Sequence, residues 1–125
     1  MIVDTDVLIW CARGNQRSIS EIEEIIPFSV SVITVMELLQ GVKNKTEQKI
    51  TLDMLNMWGT EIIYPNESIS KMAMQFVKDF SLSRGIGIED AFVAATAIEK
   101  SEELFTANDK HFRFVPGLRI KSFRP

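Results

Sequence analysis

The chain opens Met1-Ile2-Val3-Asp4-Thr5-Asp6-Val7-Leu8-Ile9-Trp10, a short apolar run interrupted by two acids and resumed at once. Met1 to Val3 shows no apolar/polar alternation, which predicts a strand covered on both faces. Asp4 ends that strand. Asp4-Thr5-Asp6 directly before Val7-Leu8-Ile9 supplies a helix N-cap, so a helix is expected over Thr5 to about Ala12, stopping near Gly14. Two carboxylates therefore fall at the C-terminal end of the first strand, the edge of an open parallel α/β sheet at which ligands bind.

The rest of the chain repeats the strand-then-helix order. Ile19, Ile22, Ile25 and Ile26 alternate with glutamates at helical spacing up to Pro27. Phe28 to Ile33 reads as a second strand, and Thr34-Val35-Met36-Glu37 has the spacing of a capping box that opens the next helix. From Thr46 to Trp58 the pattern is helical with two apolar sets: Ile50, Met54, Met57 and Trp58 on one stripe, Leu52 and Leu55 elsewhere. Glu61 to Tyr64 is a third strand. Ile69, Met72, Ala73, Phe76, Val77 and Phe80 recur at three and four, so a long helix is expected, ending at Arg84-Gly85. An alanine-rich helix follows Glu89-Asp90, Leu104 to Thr106 is a fourth strand, and Leu118 to Phe123 a fifth. With no hairpin dipeptides, this order predicts one α/β domain over residues 1–125, a central parallel β-sheet flanked by helices on both faces.

Composition agrees with one domain: 125 residues, 46% hydrophobic and 25% charged, provide a core without need of a second. The net charge of -3 gives no global attraction for nucleic acid. The distribution is uneven, however, because Lys110, Arg113, Arg119, Lys121 and Arg124 occur in a C-terminal stretch without a single acid. Cys11 is alone in an apolar run and reads as a small buried hydrophobe. The chain shows neither a basic-then-apolar leader nor an apolar stretch of bilayer length, so a cytoplasmic location is expected.

Asp4, Glu37 and Asp109 each follow a strand and Asp90 lies in the first turn of the alanine-rich helix, positions that share one pole in a parallel sheet. Each acid alone is explained as a cap, a first-turn acid or a turn former. Gathered at one edge, they repel one another and raise each other's pKa unless a cation neutralises them. An all-oxygen cluster without histidine or cysteine suits a hard cation, Mg²⁺ or Mn²⁺, and the usual work of such a site is phosphoryl chemistry.

Four stretches resemble the motifs of PIN-domain ribonucleases of the VapC type, the toxins of bacterial and archaeal VapBC toxin-antitoxin pairs. They are Ile2 to Ile9, Ser31 to Gly41 with Glu37-Leu38, Ile88 to Ala97 with Glu89-Asp90, and Leu104 to Asn108 with His111-Phe112. The resemblance implies that Asp4, Glu37 and Asp90 are catalytic, metal-binding acids, and that Asp6, Thr106 and Asn108 line or support the site. It further implies metal-dependent endoribonuclease activity leaving a 3′ hydroxyl, homodimerisation and a cognate antitoxin. One departure stands out. Many relatives carry an acid immediately before the phenylalanine of the fourth motif or in place of its asparagine, whereas here His111 and Asn108 hold those slots and Asp109 is offset by one. Asp109 and His111 are thus alternative occupants of the fourth position.

Three other classes share parts of the pattern. A signalling receiver domain needs an acceptor aspartate after its third strand, where Ile63-Tyr64-Pro65-Asn66 provides none. A haloacid-dehalogenase-like phosphatase would use Asp4 as nucleophile and Asp6 as acid, but it leaves Glu37 without a role. A PIN-like module that binds RNA or protein without cutting remains the third. Two surfaces carry expectations of their own: Met54, Leu55, Met57 and Trp58 for a homodimer, and the basic segment from Lys110 to Arg124 for the RNA backbone.

Overall fold

The computed structural model describes residues 1–125. Strand β1 (Ile2–Val3) passes into helix α1 (Thr5–Ala12) through Asp4, whose backbone is extended and whose Oδ1 accepts the Thr5 N–H at 2.8 Å. The same junction recurs at the second strand. Ser31 ends β2 (Ser29–Ser31) and caps α3 (Val32–Gly41), its Oγ accepting the Ile33 N–H at 3.1 Å. The capping box expected at Thr34 and Glu37 therefore does not form. Ser31, three residues earlier, takes the cap; Thr34 is buried one turn inside the helix, and the Glu37 carboxylate is free to find a partner elsewhere.

Helices α2 (Gln16–Glu24) and α4 (Lys45–Met57) precede β2 and β3 (Glu61–Ile63), and α5 (Glu67–Arg84) and α6 (Ile88–Glu99) precede β4 (Leu104–Thr106). Asn66 caps α5 through Oδ1, which accepts the Ile69 N–H, and Gly85 stops it at φ 70°, a left-handed position suited to glycine. A short 3₁₀ turn, Asp109–His111, leads to β5 (Ile120–Ser122). The strands lie in the order β3-β2-β1-β4-β5, all parallel, with Ile2 beside Leu104 and Val3 beside Phe105. The chain leaves β1 in one direction for β2 and β3, then returns to its other side for β4 and β5. The crevice between the ends of β1 and β4 is thus the topological switch point at which open α/β sheets bind ligands.

Period-two alternation within β1 and β4 explains their uniformly apolar composition. Ile2 and Leu104 face a core shared with α5 and α6, while Val3 and Phe105 face one shared with α1 to α4. Phe28, Phe105, Phe112 and Phe123 are almost completely buried, each contributing roughly 1.5–3 kcal/mol relative to an exposed side chain. Ala91, Ala94, Ala95 and Ala97 are fully buried, and these small side chains bring α6 close to the sheet and to α5. On α4 the expected stripe is corrected: Leu55 and Trp58 pack inward, one turn apart, while Ile50 and Met57 stay 62% and 75% exposed. Both stripes are apolar, so periodicity does not choose between them; the tilted contact of Trp58 with Phe28 does. The third strand stops at Ile63, one residue short of exposed Tyr64.

Candidate active site

Asp4 is 6% exposed at the crevice. Its Oδ1 takes the Thr5 N–H and its Oδ2 the hydroxyl of Thr106, the last residue of β4, at 2.8 Å. The Thr106 Oγ1 in turn accepts the Asn108 N–H at 3.0 Å, so one buried hydroxyl ties the acid of β1 to the loop after β4. Asp6, in the first turn of α1, accepts the Ala107 N–H through Oδ2 at 3.1 Å, and its buried Oδ1 has no hydrogen-bond partner. Glu37 is oriented from a different element: the Thr5 hydroxyl donates to its Oε1 at 2.7 Å. Asp90, in the first turn of α6, is partly exposed, and His111 Nδ1 approaches its Oδ2 to 3.6 Å, an ionic contact rather than a hydrogen bond.

The electrostatics identify which acids share the pocket. Burial, with Asp6 and Asp90 adding like charge, pushes the Asp4 carboxyl up to about 7 against the hydrogen bonds from Thr106 and Thr5. Asp6 is raised by burial, opposed by the backbone N–H groups that face it. Asp90 is raised by burial and by Glu37, Glu89 and Asp6, with His111 pulling the other way. Asp4, Asp6 and Asp90 thus lie within Coulomb reach of one another, and Glu37 and Glu89 act on Asp90.

Asp109 does not join them. Arg113 donates to its Oδ2 at 2.9 Å and Arg124 to its Oδ1 at 3.1 Å, and these two guanidiniums hold its carboxyl below the usual range. Thr5 was not among the residues singled out in the sequence. Its partner lies 32 positions away, beyond the reach of local spacing.

The pocket fits a hard divalent cation by its chemistry: carboxylate and hydroxyl oxygens, one buried carboxylate oxygen without a partner, and acids held above their normal pKa by burial and, in addition, by neighbouring carboxylates. No three acidic, histidine or cysteine side chains form a ready-made cage. Mg²⁺ usually keeps several waters and takes one or two carboxylates, so its binding does not require such a cage.

Residues 1–118 match the family model described as PIN domain. A protein named Ribonuclease VapC1 from Methanocaldococcus jannaschii is 33% identical over 131 aligned positions, spanning 98% of this chain and 82% of the relative. Among solved structures, a toxin-antitoxin complex from Klebsiella pneumoniae includes a chain with a TM-score of 0.80 and 25% identity, covering 97% of this chain and 95% of that one. VapBC2 from Rickettsia felis, bound to a DNA fragment from its promoter, gives a TM-score of 0.81 at 20% identity over 98% of both chains, a likeness of fold.

Proposed function

The chain belongs to the PIN domain family, and from that premise we propose that it is a metal-dependent endoribonuclease, the toxin of a type II toxin-antitoxin pair. The observation that carries the reading is the crowding of Asp4, Asp6, Glu37 and Asp90 at the switch point, where no lysine or arginine pairs with them. The family match and the relatives' names support the ribonuclease assignment over the phosphatase.

Asp4 and Asp90 would hold Mg²⁺ or Mn²⁺ directly or through water, with Glu37 completing the site. When bound, such a cation acidifies water and neutralises phosphoryl charge. The Thr5 N–H and the Thr106 hydroxyl fix both oxygens of Asp4, and the Thr5 hydroxyl fixes Oε1 of Glu37, so the carboxylates are held in set directions and Glu37 keeps Oε2 for a further partner. Glu37 is the group placed to accept a proton from the attacking water. Water adds to phosphorus, the bond to the 3′ oxygen breaks, and the products are a 5′ phosphate and a 3′ hydroxyl. Asn108 and the exposed His111 stand at the rim, where they meet substrate.

The partners follow from the same reading: RNA as substrate, a second copy of the chain, and an antitoxin that places a basic side chain in the anionic pocket. Among the exposed apolar side chains, Ile50 and Met57 on α4 and Met74 and Ile88 beside the α5–α6 groove offer surfaces for assembly. No helix is long and apolar enough to cross a membrane, and cytoplasmic RNA is the proposed target.

Incubation of the purified protein with total RNA and Mg²⁺ or Mn²⁺, followed by mapping of new 5′ ends, tests the reading. Discrete 5′-phosphorylated ends that vanish with EDTA are expected. Cleavage that persists in EDTA would remove the metal, and intact RNA would remove the nuclease.

A further inference from the structure

Beside the acid pocket lies a cleft of about 450 Å³ with the opposite charge, lined by Ala107, Asn108, Asp109, Lys110, His111 and Arg124. We propose that this cleft is a subsite for an RNA backbone phosphate flanking the scissile one, with Lys110 and Arg124 as its ligands. The proposal rests on the ribonuclease reading and specifies how that enzyme would hold its substrate.

Three observations carry it. The first is position: the Ala107 N–H binds Asp6 while His111 touches Asp90, so cleft and acid pocket share a wall and one strand can cross both. The second is charge. The one acid in the cleft, Asp109, is already divided between Arg113 and Arg124. Lys110 is exposed and takes part in none of the ion pairs of the molecule, which leaves the cleft net positive even with His111 neutral. Its size also falls within the range of ~300–1,000 Å³ usual for small-ligand sites, room for more than a single ion.

The third observation is what happens to the other C-terminal cations. Arg113 lies outside the cleft lining and donates to Asp109 through both Nε and Nη2, Lys121 lies over the Phe105 ring at 5.0 Å, and Arg119 donates to the Ser101 carbonyl at 2.7 Å. The basic segment is therefore not one RNA-binding stripe; most of it serves the fold, and the cleft retains the cations that can reach a phosphate. Arg124 is 58% exposed beyond its contact with Asp109, and its guanidinium keeps further N–H donors for a second acceptor.

The test compares Lys110→Ala and Arg124→Ala with Lys100→Ala, a control at the far end of α6, about 15 Å of helix from Asp90. The probe is a short single-stranded RNA containing a mapped cleavage site, read by cleavage kinetics with Mg²⁺ or Mn²⁺ and by binding across salt concentrations. Lys110→Ala should raise KM about fivefold with kcat within about twofold, because a flanking phosphate is held equally in ground and transition states. Its log-log salt slope should fall by about 0.7 for the lost contact. Arg124→Ala should act in the same direction; if it does not fold, Lys110→Ala decides alone. Active wild type with Lys110→Ala indistinguishable from Lys100→Ala would overturn the subsite and leave the nuclease standing. A wild type that neither binds nor cuts any RNA would instead overturn the nuclease reading, and the subsite with it.

Discussion

Asp4 and Asp109 follow neighbouring strands, β1 and β4, at the same edge of one sheet, and both are nearly buried, yet their surroundings are opposite. Asp109 is given two arginines and a depressed pKa; Asp4 is given two more aspartates and a carboxyl pushed up to about 7. A carboxylate that serves the fold is neutralised by the fold. A carboxylate held among like charges, with only a hydroxyl and an N–H for support, weakens the fold and fits a cation from outside. The nearby cations sharpen the contrast, because Arg113 and Arg124 are engaged by Asp109 and leave Asp4, Asp6 and Glu37 unneutralised.

The largest effect that can break this comparison is on cleavage. Asp4→Asn or Asp90→Asn keeps shape and hydrogen-bonding reach while removing one charge, and activity should fall more than about 100-fold, beyond the 10–100-fold typical of losing a supporting residue. The metal-free fold should be unchanged or firmer, since one repelling carboxylate has gone. If Asp4 were only a cap, Asn, an equally good cap, would change neither property. Parallel measurement of cleavage rate and thermal unfolding distinguishes the two.

A smaller loss is expected where support is removed and charge is kept. Thr5→Val deletes the hydroxyl that holds Glu37, and cleavage should drop on the order of 10-fold, with Thr5→Ser restoring most of it. Equal activity in Thr5→Val would show that Glu37 needs no such orientation.

Smaller again is the effect of pH on the metal-free protein. The Asp4 carboxyl rises from 3.8 to about 7 on folding, so its protonated form favours the fold. That contribution is complete below the unfolded value and is lost as pH rises through about 7. Tm in EDTA should therefore decline over that window, Asp4→Asn should flatten the decline, and Mg²⁺ or Mn²⁺ should recover it by binding the folded state. A Tm that is level across the window in wild type would mean the pocket is not strained by its charges.

The contrast also separates what the sequence shows from what it hides. The common pole was legible: Asp90 opens the alanine-rich helix, and Asp4 and Glu37 each follow one of the parallel strands. Asp109 follows one too, and by the same logic was placed with the others. Its real partners are set by where the chain goes next: the 3₁₀ turn presents Arg113, and the tail beyond β5 brings Arg124 from 15 positions on. The capping box at Thr34 and Glu37 failed because Ser31, a nearer local cap, starts the helix three residues earlier, and the distant Thr5 takes the Glu37 carboxylate. Thr106, supporting Asp4 from 102 positions away, was reached only through the resemblance to a family motif.

The smallest effect on cleavage should come from Asp109→Asn. The residue lies just beyond Asn108, in a slot that the motif resemblance leaves open, so loss of activity there equal to that of Asp4→Asn would make it a fourth member of the site. Its two carboxylate oxygens, however, already face guanidiniums, and nothing in its surroundings raises its pKa by like charge. With its folded pKa below 3.8, its contribution to stability is present at neutral pH and is lost as pH falls through the folded value, the acid side of the window that belongs to Asp4. Asp109→Asn should accordingly lower Tm at neutral pH, where Asp4→Asn does not, and reduce cleavage by less than about 10-fold through the loosened loop carrying Asn108 and His111. It should also free Arg113 and Arg124 and make the neighbouring cleft more positive, so RNA binding should tighten at low salt even as the protein becomes less stable. Weaker binding in a folded Asp109→Asn protein would show that the two arginines must be held in place to be useful, and would move Asp109 from the fold's side of the comparison to the site's.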